Sequence, residues 1–449
     1  MKRLLCAMLL SLVCCAGVAG AGPYETAEAA IDRGDYPAAL KILRTLAAQG
    51  NAAGEARLGW MYRFGKGVGK DQQEAFKWYR LAAQQGDERA RTQLGWMLEN
   101  GVGVAADVAE AATWYRLAAQ QGSAIARYNL GILYSGGHGV AQDDAEALKW
   151  LRLAAAQKYD QAQDAMGDAY YNGKGVPQDY AEAYKWYRLA ADQNDGAGQS
   201  NLGMLYAHGE GVPRNPAEAV KWYRLAAAQG VADAQNNLGQ MLYKGIGVAQ
   251  DYKEALAWFQ KAAAQDEPMA QYNIGVMYYE GHGVAQDLPR ALKIFRIGAA
   301  RGEPKSQLYL GSMARRGEVV PQDDAQAVKW YQLAAAQGEP IAQDKLGWML
   351  DNGKGIAQDS VQAVKWFRLA AAQGDANAQF NLGVKYASGT GVNQDYARAY
   401  MWFSLSAMGG ESDAEERRNT AARKLTAEQI AKATDAAHTC QVNQYKGCN

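Results

Sequence analysis

The chain repeats itself every 36 residues. Trp78, Trp114, Trp150, Trp186, Trp222, Trp258, Trp330, Trp366 and Trp402 share one phase, and Ile294 fills the one missing place. Gly59, Gly95, Gly131, Gly167, Gly203, Gly239, Gly275, Gly311, Gly347 and Gly383 share another. A ten-letter phrase travels with them: KWYRLAAQQG at 77–86, TWYRLAAQQG at 113–122, KWYRLAAAQG at 221–230 and KWYQLAAAQG at 329–338. A unit this short cannot enclose a core of its own; it buries its apolar face only against the next copy. The 449 residues are therefore not read as about three separate domains of roughly 150. Ten units are set at 51–86, 87–122, 123–158, 159–194, 195–230, 231–266, 267–302, 303–338, 339–374 and 375–410.

Each unit carries two amphipathic helix patterns. In the sixth, Ala234, Leu238, Met241 and Leu242 recur at helical spacing, and so do Tyr252, Ala255, Leu256, Phe259 and Ala263. Between them, Gly245-Ile246-Gly247-Val248-Ala249-Gln250 supplies glycines for a left-handed helix end and a sharp turn. Asp71, Asp107, Asp143, Asp179, Asn215, Asp251, Asp287, Asp323, Asp359 and Asp395 stand where each second helix begins. Glu74, Glu110, Glu146, Glu182, Glu218 and Glu254 follow three residues later, in the pattern of a capping box. Pro268, Pro304 and Pro340 open first helices, where proline is tolerated. A glycine inside a helix costs about 1 kcal/mol against alanine, so it needs a packing reason. Small residues such as Ala82-Ala83 are expected to face it, with the Trp column filling the wedge between units. Val319 replaces the second turn glycine of unit eight, so that turn is expected to differ.

The ends follow different rules. Residues 1–21 run from Lys2-Arg3 through an apolar stretch to Ala19-Gly20-Ala21, the layout of a secretory signal peptide. Export is expected, to the periplasm before secretion or an outer-membrane lipoprotein. The lipoprotein form, acylated at Cys15, is disfavoured because Cys14 stands where a small residue belongs. Cys440 and Cys448 are then the cysteines left in the mature chain, and an exported pair eight apart reads as one disulfide. Residues 22–50 read as a capping helix pair: Asp35 lies one period before Asp71, and the glycine turn is missing. Residues 411–449 read as a C-terminal helical cap, with Thr426 and Gln429 as a capping box. Lys+Arg and Asp+Glu both total 47, which argues against a nucleic-acid partner. No stretch of the mature chain is apolar for long enough to span a bilayer.

The recurring positions Ala234, Asn237-Leu238-Gly239, Tyr243, Gly245-Ile246-Gly247-Val248, Asp251, Ala255 and Trp258 resemble Sel1-like repeats, relatives of tetratricopeptide repeats with a longer turn. The resemblance covers about 360 residues in ten copies. It implies an all-α fold, a right-handed superhelical α-solenoid of helix-turn-helix units with helical caps. It also implies an adaptor for protein–protein contact, often exported in bacteria. Unit seven departs with Ile294 for Trp and Arg290 for Glu. The cysteine-rich branch of the family, with a disulfide in each unit, is excluded by the absence of cysteine within the units.

No chemistry stands out. Gly65-Lys66-Gly67-Val68-Gly69-Lys70 is not a phosphate loop, because Phe64 and Asp71 occupy positions that need Gly and Ser or Thr. His138, His208, His282 and His438 lack metal-ligand spacing. No catalytic residue, metal or cofactor is assigned, and the chain is read as a non-enzyme and a monomer. One first-helix face varies freely at three positions per unit. Its large residues, Trp60, Trp96, Tyr128, Tyr171, Met204, Tyr272, Tyr279, Trp348 and Phe380, are the candidate contacts for a protein or peptide partner in a concave groove. Trp60, Trp96 and Trp348 lead, because other units carry Asp168, Gln240 or Ser312 in the same column. Two alternatives stay open: a cell-envelope hydrolase with β-lactamase-like activity, and an organiser of exopolysaccharide export or envelope signalling.

Overall fold

The computed structural model describes residues 22–445 together with 447 and 448. The expected signal peptide at 1–21 lies outside the described residues. Among the described residues every regular element is a helix, and there are twenty-four. They fall into two compact bodies, one ending at Asn215 and one beginning at Pro216. The first body holds a capping pair, Pro23–Asp32 and Tyr36–Ala48, then repeats one to four and the first helix of repeat five, Gly196–His208. The second opens with Pro216–Ala228, continues through repeats six to ten, and closes with Ala414–Ala422 and Ala427–Val442. Each body is an all-α solenoid of antiparallel helix pairs.

Two glycines shape every turn, for different reasons. Gly245 ends its helix in the left-handed conformation, φ 67°. Gly247, at φ 72°, lies against the start of the preceding second helix, where an added Cβ would come within 2.4 Å of the Pro216 carbonyl. In repeat eight the expected change of turn does not occur. Val319 keeps φ at 66°, close to the 68° of Gly355. A β-branched residue there is a true outlier, and its side chain is left 47% exposed.

Nine of the ten second helices start on an aspartate as expected, and that of repeat five follows Asn215, but the reciprocal half of the box is absent. Asp71 accepts from the amides of Gln73 and Glu74, both at 3.0 Å. Its own amide donates to the Tyr62 carbonyl at 2.9 Å, so Glu74 has no donor to reach back to. Glu74 turns to Lys77 at 2.6 Å, and Glu110 takes the indole N–H of Trp114 at 3.1 Å. The full box forms at Thr426 and Gln429.

The intrahelical glycine meets a ring, and it is not the tryptophan. A Cβ on Gly347 would lie 2.7 Å from the Phe367 ring, and one on Gly95 equally close to Tyr115. Tyr115, Tyr187, Phe259, Phe295, Tyr331 and Phe367, each following the tryptophan phase by one, are fully buried. The Trp column itself is half-buried at the seams; Trp402 is enclosed, in the core reached by the closing helices. This corrects the expectation that the alanine pair faces the glycine. The alanine pair faces the next repeat instead, as Ala190 does Gly198. Where Gly298 replaces that alanine, Ser306 moves into the freed space, so a Cβ on Gly298 would lie 2.4 Å from its hydroxyl.

The last letters of the phrase carry a polar spine. Gln343 is buried; it donates to the Ala335 carbonyl at 3.2 Å and accepts from Gln373 at 3.0 Å. Gln235 repeats this with Ala227 at 3.1 Å and Gln265 at 3.0 Å. Carbonyls at a helix end lack intrahelical partners, so one glutamine ties the end of one repeat to both helices of the next. Arginine in the same phrase crosses a seam too: Arg116 donates to the Tyr134 hydroxyl at 2.9 Å, and Arg368 to Tyr386 at 2.8 Å. The leucine between them points outward and is about half exposed at Leu81, Leu189, Leu225, Leu333 and Leu369. Nothing packs it there, though leucine is a strong helix former.

These roles predict an order of costs. Phe367→Ala should destabilise the chain by about 3–5 kcal/mol, as for a large ring removed from a core, and Trp366→Ala by clearly less. Thermal unfolding of the two variants decides, and equal losses would show that the tryptophan at the seam matters as much as the ring on the glycine. Val319→Gly should stabilise by about 0.5–1 kcal/mol, because relief of left-handed strain of roughly 1–2 kcal/mol exceeds the entropy glycine adds.

Candidate functional site

The three variable positions of each first helix prove to have three different surroundings. The leading column, Ala56, Thr92, Tyr128, Asp164, Ser200, Asn236, Tyr272, Leu308, Asp344 and Phe380, faces the neighbouring repeat. Thr92 meets the Ser123 hydroxyl at 3.1 Å, while Asn201, Asn273 and Asn381 donate to Asp164, Asn236 and Asp344 at 2.8–2.9 Å. Tyr128 lies against Tyr159 with centroids 5.4 Å apart, Tyr272 against Tyr309 at 5.8 Å, and Phe380 against Phe403 at 5.6 Å. The three candidate contacts in this column are half-buried, Tyr128 and Tyr272 in packing between repeats and Phe380 against the glycine-facing ring of its own repeat.

The trailing column is also occupied. The Tyr171 hydroxyl donates to Glu210 at 3.0 Å, and that of Tyr279 to Glu318 at 2.9 Å, each glutamate lying in the turn of the following repeat. Tyr243, missed as a candidate, bonds Glu280 and the His282 ring at 2.9 Å, and Tyr252 stacks on that histidine.

The middle column is the open one. Trp60, Trp96, Met204 and Trp348 are all partly exposed. Two of the polar residues in this column also have an internal partner. Asp168 accepts from the buried Tyr187 hydroxyl at 2.8 Å, and Ser312 meets that of Tyr331 at 3.2 Å. In these two repeats the polar residue satisfies the hydroxyl of the glycine-facing tyrosine; in repeat two Glu99 does so, accepting from Tyr115 at 2.7 Å.

Each of the three candidate tryptophans carries an arginine on its face. The guanidinium carbon of Arg57 lies 4.4 Å from the Trp60 ring centre, that of Arg63 is 4.0 Å from Trp96, and that of Arg315 is 5.2 Å from Trp348. Sequence reasoning missed these stacks, although Arg63–Trp96 and Arg315–Trp348 share one separation. Such pairs hold both side chains in place. Beside Trp60 the surface opens into a cleft of about 680 Å³, bordered by Tyr24, Arg57, Arg63, Phe64, Arg89 and Ile125. In the second body a smaller hollow of about 270 Å³ lies among Gln240, Tyr243, Tyr272 and Lys305.

Burial dominates the electrostatics. It pushes the Asp164 carboxyl up to about 7, helped by the charge of Asp168, while the bond from Asn201 pulls the other way. Burial likewise raises the hydroxyls of Tyr115 and Tyr187, with Glu99 and Asp168 adding to it. Among the described residues no His, Cys, Asp and Glu cluster could hold a metal ion, and no helix is long and apolar enough to cross a membrane. At the far end, Cys440 is bonded to Cys448 across a Cα separation of 5.4 Å.

The family pattern described as Sel1 repeat matches ten segments: 52–87, 89–123, 124–159, 160–195, 196–231, 232–267, 268–303, 304–339, 340–375 and 376–411. Among solved structures, a protective antigen present in uropathogenic Escherichia coli strains, displaying an SLR fold, is 36% identical. It matches with a TM-score of 0.57 over 90% of this chain and 95% of that one. A Sel1 repeat protein from Oxalobacter formigenes is 32% identical, with a TM-score of 0.52 over 54% of this chain and 97% of its own. No curated protein matches the chain.

Asp164 gives a pH signature. Its folded-state pKa is raised, so its favourable contribution is complete below the ordinary value near 4 and is lost as pH rises through about 7. Asn236 shows that an amide fits the same position, accepting from Asn273 at 2.9 Å. Asp164→Asn should therefore stabilise the chain by about 1–3 kcal/mol at pH 8 and hardly at all at pH 5. Urea unfolding of both proteins at the two pH values measures this; a gain of equal size at both would show that ionisation is not the cause.

Proposed function

Since the chain belongs to the Sel1 repeat family, we propose that it is an exported, non-enzymatic scaffold that holds a protein or peptide partner along the first-helix face. The observation that carries this is the middle column with its arginines. Trp60, Trp96 and Trp348 are large, partly exposed, held in place by stacked guanidiniums, and not called for by the repeat, which accepts Ile132, Gln240 or Val384 in the same phase. Trp and Arg together are the side chains that dominate interface hot spots. Within one body a solenoid offers such residues in a row on rigid elements, as Trp60 and Trp96 stand in repeats one and two, which suits an extended partner.

Export is supported by the signal-like pattern of residues 1–21 and by the paired Cys440 and Cys448, which need an oxidising compartment. The related Escherichia coli protein is described as a protective antigen, a role open to a chain that leaves the cytoplasm.

A photo-crosslinking residue placed at Ile132 or Ser312 should capture partner in intact cells. The same residue at Leu153 or Leu333, on the outward side of second helices, should capture little. Adducts confined to the leucine positions would move the binding surface to the second helices.

A further inference from the structure

We propose that the cleft beside Trp60 binds an extended peptide segment in which an acidic side chain is followed by a large apolar one. This rests on the reading of the first-helix face as a binding surface and names what one part of it recognises.

The repeat provides its own control. Arg57 stands in the phase of Asn129, Asn201, Asn237, Asn273 and Asn381. Phe64 stands in the phase of Asn100, Asn172, His208, Lys244, Arg316 and Asn352. Ile125, also on the cleft, shares a phase with Gln161, Asp233, Lys305 and Asn377, and equally with Ala197, Met269 and Ile341. The repeat thus favours polar residues where Arg57 and Phe64 stand and takes either kind where Ile125 stands. Phe64 and Ile125 are apolar and face solvent, at 50% and 46% exposed, and both border one cleft. Phe64 also lies against Trp60, with ring centroids 5.6 Å apart, and exposed apolar side chains gathered on one cleft mark a contact site. They would grip the apolar residue of the segment.

The acidic residue is assigned by the arginines. Arg57 lies over Trp60, is held by Glu28 at 2.8 Å, and keeps a buried Nε with no hydrogen-bond partner. Arg63 lies on Trp96 and within 5.1 Å of the Phe64 ring centre. Arg89, at the rim, is exposed and makes no hydrogen bond or ion pair among the described residues. A stacked guanidinium still offers its edge N–H groups, which match a carboxylate in pairs. Asp87 and Glu88 border the same cleft, so its three arginines leave little net charge. That favours one carboxylate over a phosphate backbone, which needs a basic tract. At about 680 Å³ the cleft falls within the usual ligand range of roughly 300–1,000 Å³.

The test is fluorescence anisotropy of the full chain with labelled ten-residue peptides, Gly/Ser throughout except for a central Glu-Leu, Gln-Leu, Glu-Ser or Lys-Leu pair. An eight-nucleotide poly(A) strand is the rival ligand. Glu-Leu should bind at least tenfold tighter than the other three and than poly(A). Arg89→Gln should erase most of the preference for Glu over Gln, and Phe64→Ser the preference for Leu over Ser, with the melting temperature unchanged in both. Arg89 has no intramolecular partner to lose, so its variant folds even if one at Arg63 does not. Equal binding of Glu-Leu and Gln-Leu overturns the proposal, as does tighter binding of poly(A) or no binding of any peptide. Glu-Leu binding that survives both variants but is lost in Trp348→Gln overturns the cleft and leaves the first-helix reading standing. Failure of that wider reading shows separately, as crosslinks at the outward leucines.

Discussion

The backbone of a glycine pressed against an aromatic ring is the contact on which the architecture depends. In repeat nine it is Gly347 on Phe367, in repeat two Gly95 on Tyr115. A side chain at the glycine would force the two helices of the pair apart. The helix accepts the propensity cost of about 1 kcal/mol because the ring it admits is fully buried and contributes roughly 1.5–3 kcal/mol by the usual area argument. Everything beyond the pair inherits this spacing. The alanines of the phrase can then approach the next first helix, and the buried glutamines can reach the carbonyls of the previous repeat.

Within that frame each letter of the recurring phrase has a job, and the jobs differ in tolerance. The ring position takes Tyr, Phe or Leu151, because size matters there and a hydroxyl can be satisfied by Asp168 or Ser312. The buried glutamine phase takes Arg91 or Arg127 as readily, since their Nε atoms donate to the carbonyls of Ala83 and Ala119 at 3.0 Å. The second turn glycine tolerates least, being fixed both by φ and by contact with the helix behind it. Val319 shows what a departure there does: the backbone stays in place and the strain is retained.

Much of this was legible in the sequence. The period gave the units, the aspartates gave the helix starts, and Thr426 with Gln429 marked the last helix. What misled was helix roll. Phe367 and the pair Ala370-Ala371 share one helix, so which of them meets the glycine depends on the roll of that helix, and the period does not reveal roll. The candidate surface was legible only in part for a related reason. Variation in a repeat column can mean freedom or coupling, and Asp164 with Asn201, or Asn236 with Asn273, vary because they are paired across a seam. Such pairs join residues 37 apart, just over one period, and comparing columns one at a time hides them.

The same comparison shows where a repeat protein can place recognition without weakening itself. Glycine-facing rings, turn glycines and seam pairs are each held by neighbours on both sides, so a change there spreads to the adjacent repeats. The middle column is held on one side only, and the arginines that steady Trp96 and Trp348 come from the repeat before, not from the core. Repeat one concentrates this freedom. It is flanked on one side by the short capping pair, tied through Arg57 and Glu28 at a partly exposed contact, and its face departs from the repeat at Arg57, Trp60, Arg63 and Phe64 together. Stability in a solenoid is a sum over neighbours, and an end unit has fewer of them. A ligand spanning the cleft to Ile125 would join repeats one, two and three, supplying across their surface the coupling that a central repeat obtains from its core.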